Sequence, residues 1–305
     1  NNLLLLLDSS WHLQIWGAVD KMRARGIRVF TVTYDLIPIT HPHFCDENLV
    51  RLFNDWFTQA VKRVEGYIAI SRTVEEDLYG YLRTLNVSTP LPRERLTHFF
   101  LGADIKKSDS PEFDARNTLK KWFEETHAPY LIVCTIEPRK NHIYLIEVFN
   151  RLWEQGIDAR LMIVGRIGWK VDELIHTIRA HPEFGKRLTM WNDLSDSELS
   201  YTYHHAKMLL FPSYVEGFGL PIVESLYFGL PVLASDIPVH REVGQEKIGY
   251  FDLDNPADLV EKIVAIESLS SLPRVDPSQI HIVDWKESAQ SLLEEITRLS
   301  GRTDG

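Results

Sequence analysis

Short, nearly continuous apolar runs alternate with amphipathic stretches along the whole chain, and this alternation limits the folds open to it. Runs of strand length occupy residues 3–7, 27–33, 67–70, 130–135, 161–165, 208–211 and 231–235. Between them, residues 47–63, 74–85, 143–155, 171–180, 196–206 and 257–266 carry apolar side chains at helical spacing. A strand that is apolar on both faces must be buried on both, and helices laid against the two sides of a parallel sheet achieve this. The expected class is therefore α/β with doubly wound parallel sheets.

Local signals mark the element ends. Asn255 before Pro256 reads as a helix cap followed by a first-turn proline, and Gly229 with Pro231 beyond it reads as a helix stop. The polar stretch 106–116, with Asp109, Ser110 and Pro111, separates a first block, 1–112, from a second, 113–283. Residues 284–305 form a terminal helix. The second block is long enough for a complete doubly wound unit. The first is too short for one and opens directly on a strand, so an incomplete N-terminal domain is expected.

Charge and cysteine usage exclude some functions. The net charge of -10 comes from 33 basic and 43 acidic residues, which argues against a nucleic-acid backbone as the main partner. The longest apolar run ends at Asp8, too short to span a bilayer, and lacks the flanks of a signal peptide. Cys45 and Cys134 lie far apart, and Cys134 sits in an apolar run as an expected buried thiol. That usage points to a reducing, cytoplasmic compartment. No Cys/His spacing of a metal site occurs.

The most informative stretch is 211–226. A buried strand ends at Phe211, and a loop follows with Glu216, Gly217 and Gly219. A helix then starts near Leu220 with Pro221 in its first turn. Glycines let the backbone approach a ligand, and a helix N-terminus presents free N–H groups with a partial positive charge, so the loop suits a diphosphate. Glu216 lies before the helix and Glu224 about one turn inside it, so the two can touch different parts of one extended ligand. A strand–loop–helix of this kind belongs at the C-terminal edge of a parallel sheet, where ligands bind. Without a ligand, the same residues would be a glycine-linked turn with two solvated glutamates. In a second stretch, 130–141, a strand runs into Glu137-Pro138 and then Arg139 and Lys140 at a helix start. Cations there oppose the helix dipole, and a bound anion would explain them better than local stability.

These residues resemble the retaining glycosyltransferases of family 4. Glu216 to Glu224 matches the family's E-x7-E motif, in its full form Pro-Ser-x-x-Glu-Gly-Phe-Gly-Leu-Pro-x-x-Glu, and 229–238 is similar to the next strand and loop. The resemblance implies a GT-B fold, two Rossmann-like doubly wound domains facing a cleft. It implies a nucleoside diphosphate sugar as donor, with no cofactor and no metal. By resemblance, Glu224 binds the ribose hydroxyls and Glu216 lies against the transferred sugar. Gly217, Phe218, Gly219 and Leu220 face the sugar or diphosphate, and Lys140 with Arg139 binds the diphosphate. Members often end the first strand in Gly-Arg; here Cys134-Thr135 stands in that place. Thr135 offers only a neutral hydrogen bond, and Arg166 could compensate. Leu194 resembles the base-contacting position, beside Ser195 and Glu198, which also read as a capping box. In the first block, Tyr34-Asp35 replaces a frequent His-Asp near the acceptor, with Asp35 as the candidate substrate contact. Tyrosine is a poor base at neutral pH. Ser71 and the pair Gly102 and Asp104 also resemble family positions, and read equally as a helix cap and a turn.

The wording is most similar to bacterial mannosyltransferases of O-antigen and surface-polysaccharide assembly. The expected donor is GDP-mannose, with a UDP-sugar second, and the expected acceptor is a glycan or lipid-linked sugar at the inner membrane face, any membrane contact being peripheral. The rival reading is a non-catalytic sugar-nucleotide-binding scaffold subunit. Asp252 and Asp254 imitate a metal-binding Asp-x-Asp but sit beside a helix cap. His41 and His43 read as loop, His204 and His205 as the end of a helix, and His12 as a single residue near a strand end.

Overall fold

The computed structural model describes residues 2–7, 10–85, 92–103, 115–124 and 127–301. Two units result: Asn1–Gly102 with Glu216–Phe218 and Val283–Gly305, and Ala103–Val215 with Gly219–Ile282. The expected boundary stretch lies almost wholly within 104–114, outside the described residues, as does Asp104.

In the first unit the chain runs β1 (Leu3–Leu6), α1 (Trp16–Arg23), β2 (Arg28–Thr33), α2 (Ile37–Thr40), α3 (Glu47–Val61), β3 (Gly66–Ala69), α4 (Arg72–Thr84) and β4 (Leu96–His98). The four strands form a parallel sheet in sequential order β1-β2-β3-β4. Leu3 pairs with Arg28, and Phe30 with Gly66. Asp46 caps α3 by accepting from Asn48 N at 2.9 Å, and Ser71 caps α4 by accepting from Val74 N at 3.1 Å. Buried Phe53, Trp56, Phe57 and Ala60 on α3 meet Val29 and Tyr67 of the sheet.

The second unit contains α5 (Asn117–Glu124), β5 (Tyr130–Val133), α6 (His142–Glu154), β6 (Leu161–Val164), α7 (Asp172–Ala180), β7 (Leu188–Trp191), α8 (Asp196–His205), β8 (Met208–Phe211), α9 (Leu220–Tyr227), β9 (Val232–Ser235), α10 (Pro238–Gly244), β10 (Gly249–Phe251) and α11 (Pro256–Glu267). Its six parallel strands are ordered β10-β9-β8-β5-β6-β7. The order reverses between β5 and β8, because the chain winds outward to β7 and then returns to the middle. That is the doubly wound arrangement, and the reversal opens a crevice at the carboxyl ends of β5 and β8. Both faces are covered. Tyr130, Ile132, Ile163 and Leu210 face a core with α6, α7 and α11 residues; Leu131, Val133, Met162 and Phe211 face another with α5, α8 and α9 residues.

The terminal helix α12 (Trp285–Leu299) belongs with the first unit, where it packs on β3 and β4. Asp284 and Glu287 form a capping box at its start. Ser288 Oγ donates to Phe100 O at 2.7 Å, and Arg28 donates to Ser300 O at 2.7 Å.

The apolar runs all become strands. Three further strands, β4, β7 and β10, carry no such run. Each lies at a sheet edge with one neighbour, so mixed sequences such as Leu-Thr-His suffice. Two local expectations are corrected. Asn255 stands at the N-cap of α11 but its side chain makes no capping bond; Asp258 instead accepts from Asp252 N at 3.0 Å. Cys134 is half-buried, with Sγ 3.6 Å from His142 Nε2, because it lies beyond the last paired residue of β5. Gly229 does end α9, at φ 69°.

Gly165 ends β6 at φ 149°, and a Cβ there would lie 1.7 Å from the Cys134 carbonyl oxygen. Gly165→Ala should therefore cost about 1–3 kcal/mol or more. That corresponds to roughly 2–10 °C in melting temperature. Gly80→Ala, on α4 with open space around it, should be neutral or slightly stabilising. Equal melting temperatures for the two variants would refute the steric account.

Candidate functional site

Two loops meet at the reversal point of the second sheet. The loop after β5 turns at Pro138–Lys140 and enters α6 through Asn141, which takes a left-handed conformation at φ 55°. The loop after β8 runs from Pro212 to Gly219. Tyr214 N donates to Arg139 O at 2.9 Å, and Arg139 Nη1 donates to Val215 O at 3.1 Å. The guanidinium also pairs with Glu137 at 2.6 Å, whose side chain is buried. Arg139 thus ties the two loops together just ahead of Glu216. Its motif predicted a cation here; the carboxylate two residues earlier, which holds that cation, is the part that sequence reasoning missed.

Lys140 is buried, and its Nζ lies 5.2 Å from the centre of the Phe211 ring, at the end of β8. An ammonium over an aromatic face in a dry setting is an electrostatically favourable placement. Its neighbour His142 is pushed down to about 3, first by burial and then by the charge of Lys140, and so stays neutral near pH 7.

The loop after β8 is braced from β9 as well. Ser235 Oγ donates to Ser213 O at 2.6 Å, and His240 Nδ1 lies 3.1 Å from Ser235 Oγ. Gly219 caps α9 at φ 96°, and Pro221 follows in the first turn. Glu216, Gly217, Phe218 and Gly219 are buried; Leu220 is half-buried. Glu224 projects from the second turn of α9. Its Oε2 accepts from Tyr203 OH of α8 at 2.7 Å. Burial raises the Glu224 carboxyl above its usual range, opposed by that hydrogen bond. Tyr203 is wholly buried and stacks on Phe228, ring centres 5.2 Å apart. Tyr203 was not visible as a site residue, since nothing in its own segment announces a partner 21 residues on.

The remaining expected donor residues lie on neighbouring loops of the same sheet edge. Thr135 and Arg166 are exposed, on strand extensions joined by Ile136 N donating to Arg166 O at 2.8 Å. Leu194 is half-buried before α8. Its loop is held by Arg116, which bonds Asp193 at 2.8 Å and Glu198 at 2.6 Å. Ser195 and Glu198 form the capping box. Glu198 is held down to about 2, chiefly by its hydrogen bond with Arg116.

Asp35 belongs to the first unit, after β2. Its Oδ1 accepts from Ile37 N at 2.9 Å, starting α2, and the Tyr34 hydroxyl donates to Leu7 O at 2.7 Å. Asp252 Oδ1 accepts from Asp254 N at 2.9 Å, a turn interaction. His204 and His205 bond carbonyls one helical turn back. His41 stacks on Phe44, and the His43 ring packs against it at a tilt. Among the described residues, no group of three or more His, Cys, Asp or Glu side chains is placed to hold a metal, and no helix is long and apolar enough to cross a membrane.

Residues 116–275 match the family model described as glycosyl transferases group 1. Over 303 residues, 97% of this chain, the sequence is 33% identical to the serotype-specific mannosyltransferase WbdA of Escherichia coli, of whose length it spans 37%. It is 26% identical over 248 residues to the O-antigen chain mannosyltransferase RfbU of Salmonella typhimurium, covering 81% of this chain and 62% of that one. Among solved structures, Anabaena HepE in complex with UDP and glucose aligns with a TM-score of 0.70 at 16% identity, over 96% of this chain and 77% of that chain. Sucrose-phosphate synthase from Thermosynechococcus elongatus aligns at 0.64 and 16% identity, over 99% and 74%.

Proposed function

The chain belongs to the group 1 glycosyl transferases, with two parallel-sheet units of the GT-B fold, and on that premise we propose that it transfers mannose from GDP-mannose to a hydroxyl of a glycan or lipid-linked acceptor, with retained anomeric configuration. The reading is supported by the order of the second sheet, in which Lys140 follows β5 and the helix carrying Glu224 follows β8, the two strands between which that order reverses. The crevice at such a reversal is where α/β sheets bind nucleotides. Likeness to a serotype-specific mannosyltransferase and to an O-antigen chain mannosyltransferase supports the sugar and the pathway.

In this reading Lys140 and the α9 backbone N–H groups stabilise the departing diphosphate, the electrostatic contribution that usually dominates in such sites. Thr135 and Arg166 add to it at the rim. Leu194 lies against the base, and Glu224 accepts from the ribose hydroxyls. The acceptor oxygen bonds to the anomeric carbon on the face that the phosphate leaves. The carbon–phosphate-oxygen bond breaks, and the acceptor proton passes to that oxygen. Glu216 supports the positive charge that develops on the sugar. Asp35 holds the acceptor. Charge neutralisation by Lys140 lets the transfer proceed without a metal. The setting is the cytoplasmic side of the inner membrane, with peripheral contact at most.

Calorimetry of GDP, GDP-mannose, UDP and UDP-sugars tests this. Selective GDP binding is expected, weakened about tenfold or more in Glu224→Ala, since a charged hydrogen-bond partner contributes about 1.5–3 kcal/mol. Glu224→Gln keeps an acceptor for Tyr203 and should fall between the two. Wild-type affinity in Glu224→Ala would refute the ribose assignment. Selective UDP binding would move the donor to a UDP-sugar. No nucleotide binding at all would overturn the transferase reading, and nucleotide binding without turnover would favour the non-catalytic scaffold.

A further inference from the structure

A pocket of about 410 Å3 opens in the first unit among the loop after β1, α1 and α3. That is the size of a small-ligand site. Three indoles line it: Trp11, Trp16 and Trp56. Each is braced. Trp56 is buried, and its Nε1 donates to Ser10 Oγ at 3.0 Å. The Trp16 and Trp56 rings lie 5.5 Å apart, as do Trp11 and Phe53. The Arg63 guanidinium sits 5.4 Å from the centre of the Trp16 ring and is itself held by Asp20 at 2.8 Å. Aromatic surfaces fixed in advance lose little freedom when a ligand arrives.

Gln14, Asp55 and Gln59 share the lining. Gln59 Oε1 already accepts from Arg63 at 2.6 Å, so this residue offers a ligand its NH2 group. Asp55 and Gln14 are exposed; the first offers acceptors, the second both donor and acceptor. Flat apolar faces interleaved with donors and acceptors match a pyranose ring, which has C–H faces and a rim of hydroxyls. An acyl chain fits less well, because it would cover the half-buried Gln59 without replacing its water, at about 1–3 kcal/mol.

We propose that this pocket binds a sugar unit of the acceptor glycan, through residues none of which belongs to the donor set. The inference rests on the transferase reading for the identity of its ligand. A second grip on the growing chain raises the local concentration of its end.

The test titrates the full chain with a short α-linked manno-oligosaccharide, read by tryptophan fluorescence and ligand-observed NMR. Saturable binding is expected, weakened about tenfold in the double variant Asp55→Ala/Gln59→Ala, which removes two hydrogen-bonding groups. GDP affinity should be unchanged, and KM for a long acceptor should rise more than KM for a monosaccharide glycoside. Trp16→Leu should weaken glycan binding too, with the melting temperature as a check on folding. Loss of glycan affinity in these variants supports the pocket even if no nucleotide binds. Nucleotide binding with wild-type glycan affinity in the variants overturns it and leaves the transferase reading intact. Occupation by an alkyl-chain probe, with no binding of the oligosaccharide, also overturns it.

Discussion

Replacing Glu216 by glutamine should lower kcat by about 100- to 1,000-fold while leaving GDP affinity within about twofold of wild type. The expectation follows from position and charge. Glu216 is buried in the loop between β8 and α9, ahead of the helix that carries Glu224. A carboxylate in a dry loop has its largest effect on charge that appears only in the transition state, and the sugar carbon becomes positive only as the phosphate leaves. Glutamine keeps the size and the hydrogen-bonding shape but removes the charge, so the loop should persist. Steady-state kinetics with GDP-mannose, paired with calorimetry of GDP, separates the two effects. An equal loss in kcat and in GDP affinity would mean that Glu216 shapes the nucleotide site instead.

Lys140→Met is expected to cost a similar factor in kcat and, unlike Glu216→Gln, to weaken GDP as well. Lys140 is buried at the turn into α6, against the Phe211 ring. Methionine retains most of the apolar stem and leaves Phe211 covered, so what disappears is the ammonium. In the proposed mechanism that charge meets phosphate in both the bound and the reacting state, hence the expected loss in both measurements. His142 supplies an independent readout. Its titration is depressed to about 3, by burial first and by Lys140 second. Removing Lys140 should raise it, still below the ordinary histidine value, as followed by NMR. Unchanged GDP affinity with a shifted His142 would show that the charge was removed but does not meet the diphosphate.

The candidate site was legible where its chemistry is local. Gly217, Gly219, Pro221 and the two glutamates fall within one short stretch, and a βα turn brings sequence neighbours into one place. Lys140 was legible for the same reason, as a cation set against a helix dipole. The supports of these groups were not. Tyr203 reaches Glu224 from the preceding helix, and Glu137 holds Arg139 in a clamp on the other loop. Arg116 reaches Asp193 and Glu198 across about 80 residues of chain.

Alternation of apolar runs with helical periodicity determined, without further help, that the strands from those runs would be parallel and, except for the half-buried edge strand β1, mostly buried. The glycines and prolines at 217–231 determined where α9 begins and ends. Both are local consequences of backbone sterics and of which side chains avoid water. The order of the six strands, and with it the crevice between β5 and β8, was decided only in three dimensions. So were the edge strands β4, β7 and β10, the attachment of α12 to the first sheet, and the tryptophan pocket. Each depends on which distant segment packs beside which. Periodicity states that a face must be covered and carries no information about what covers it.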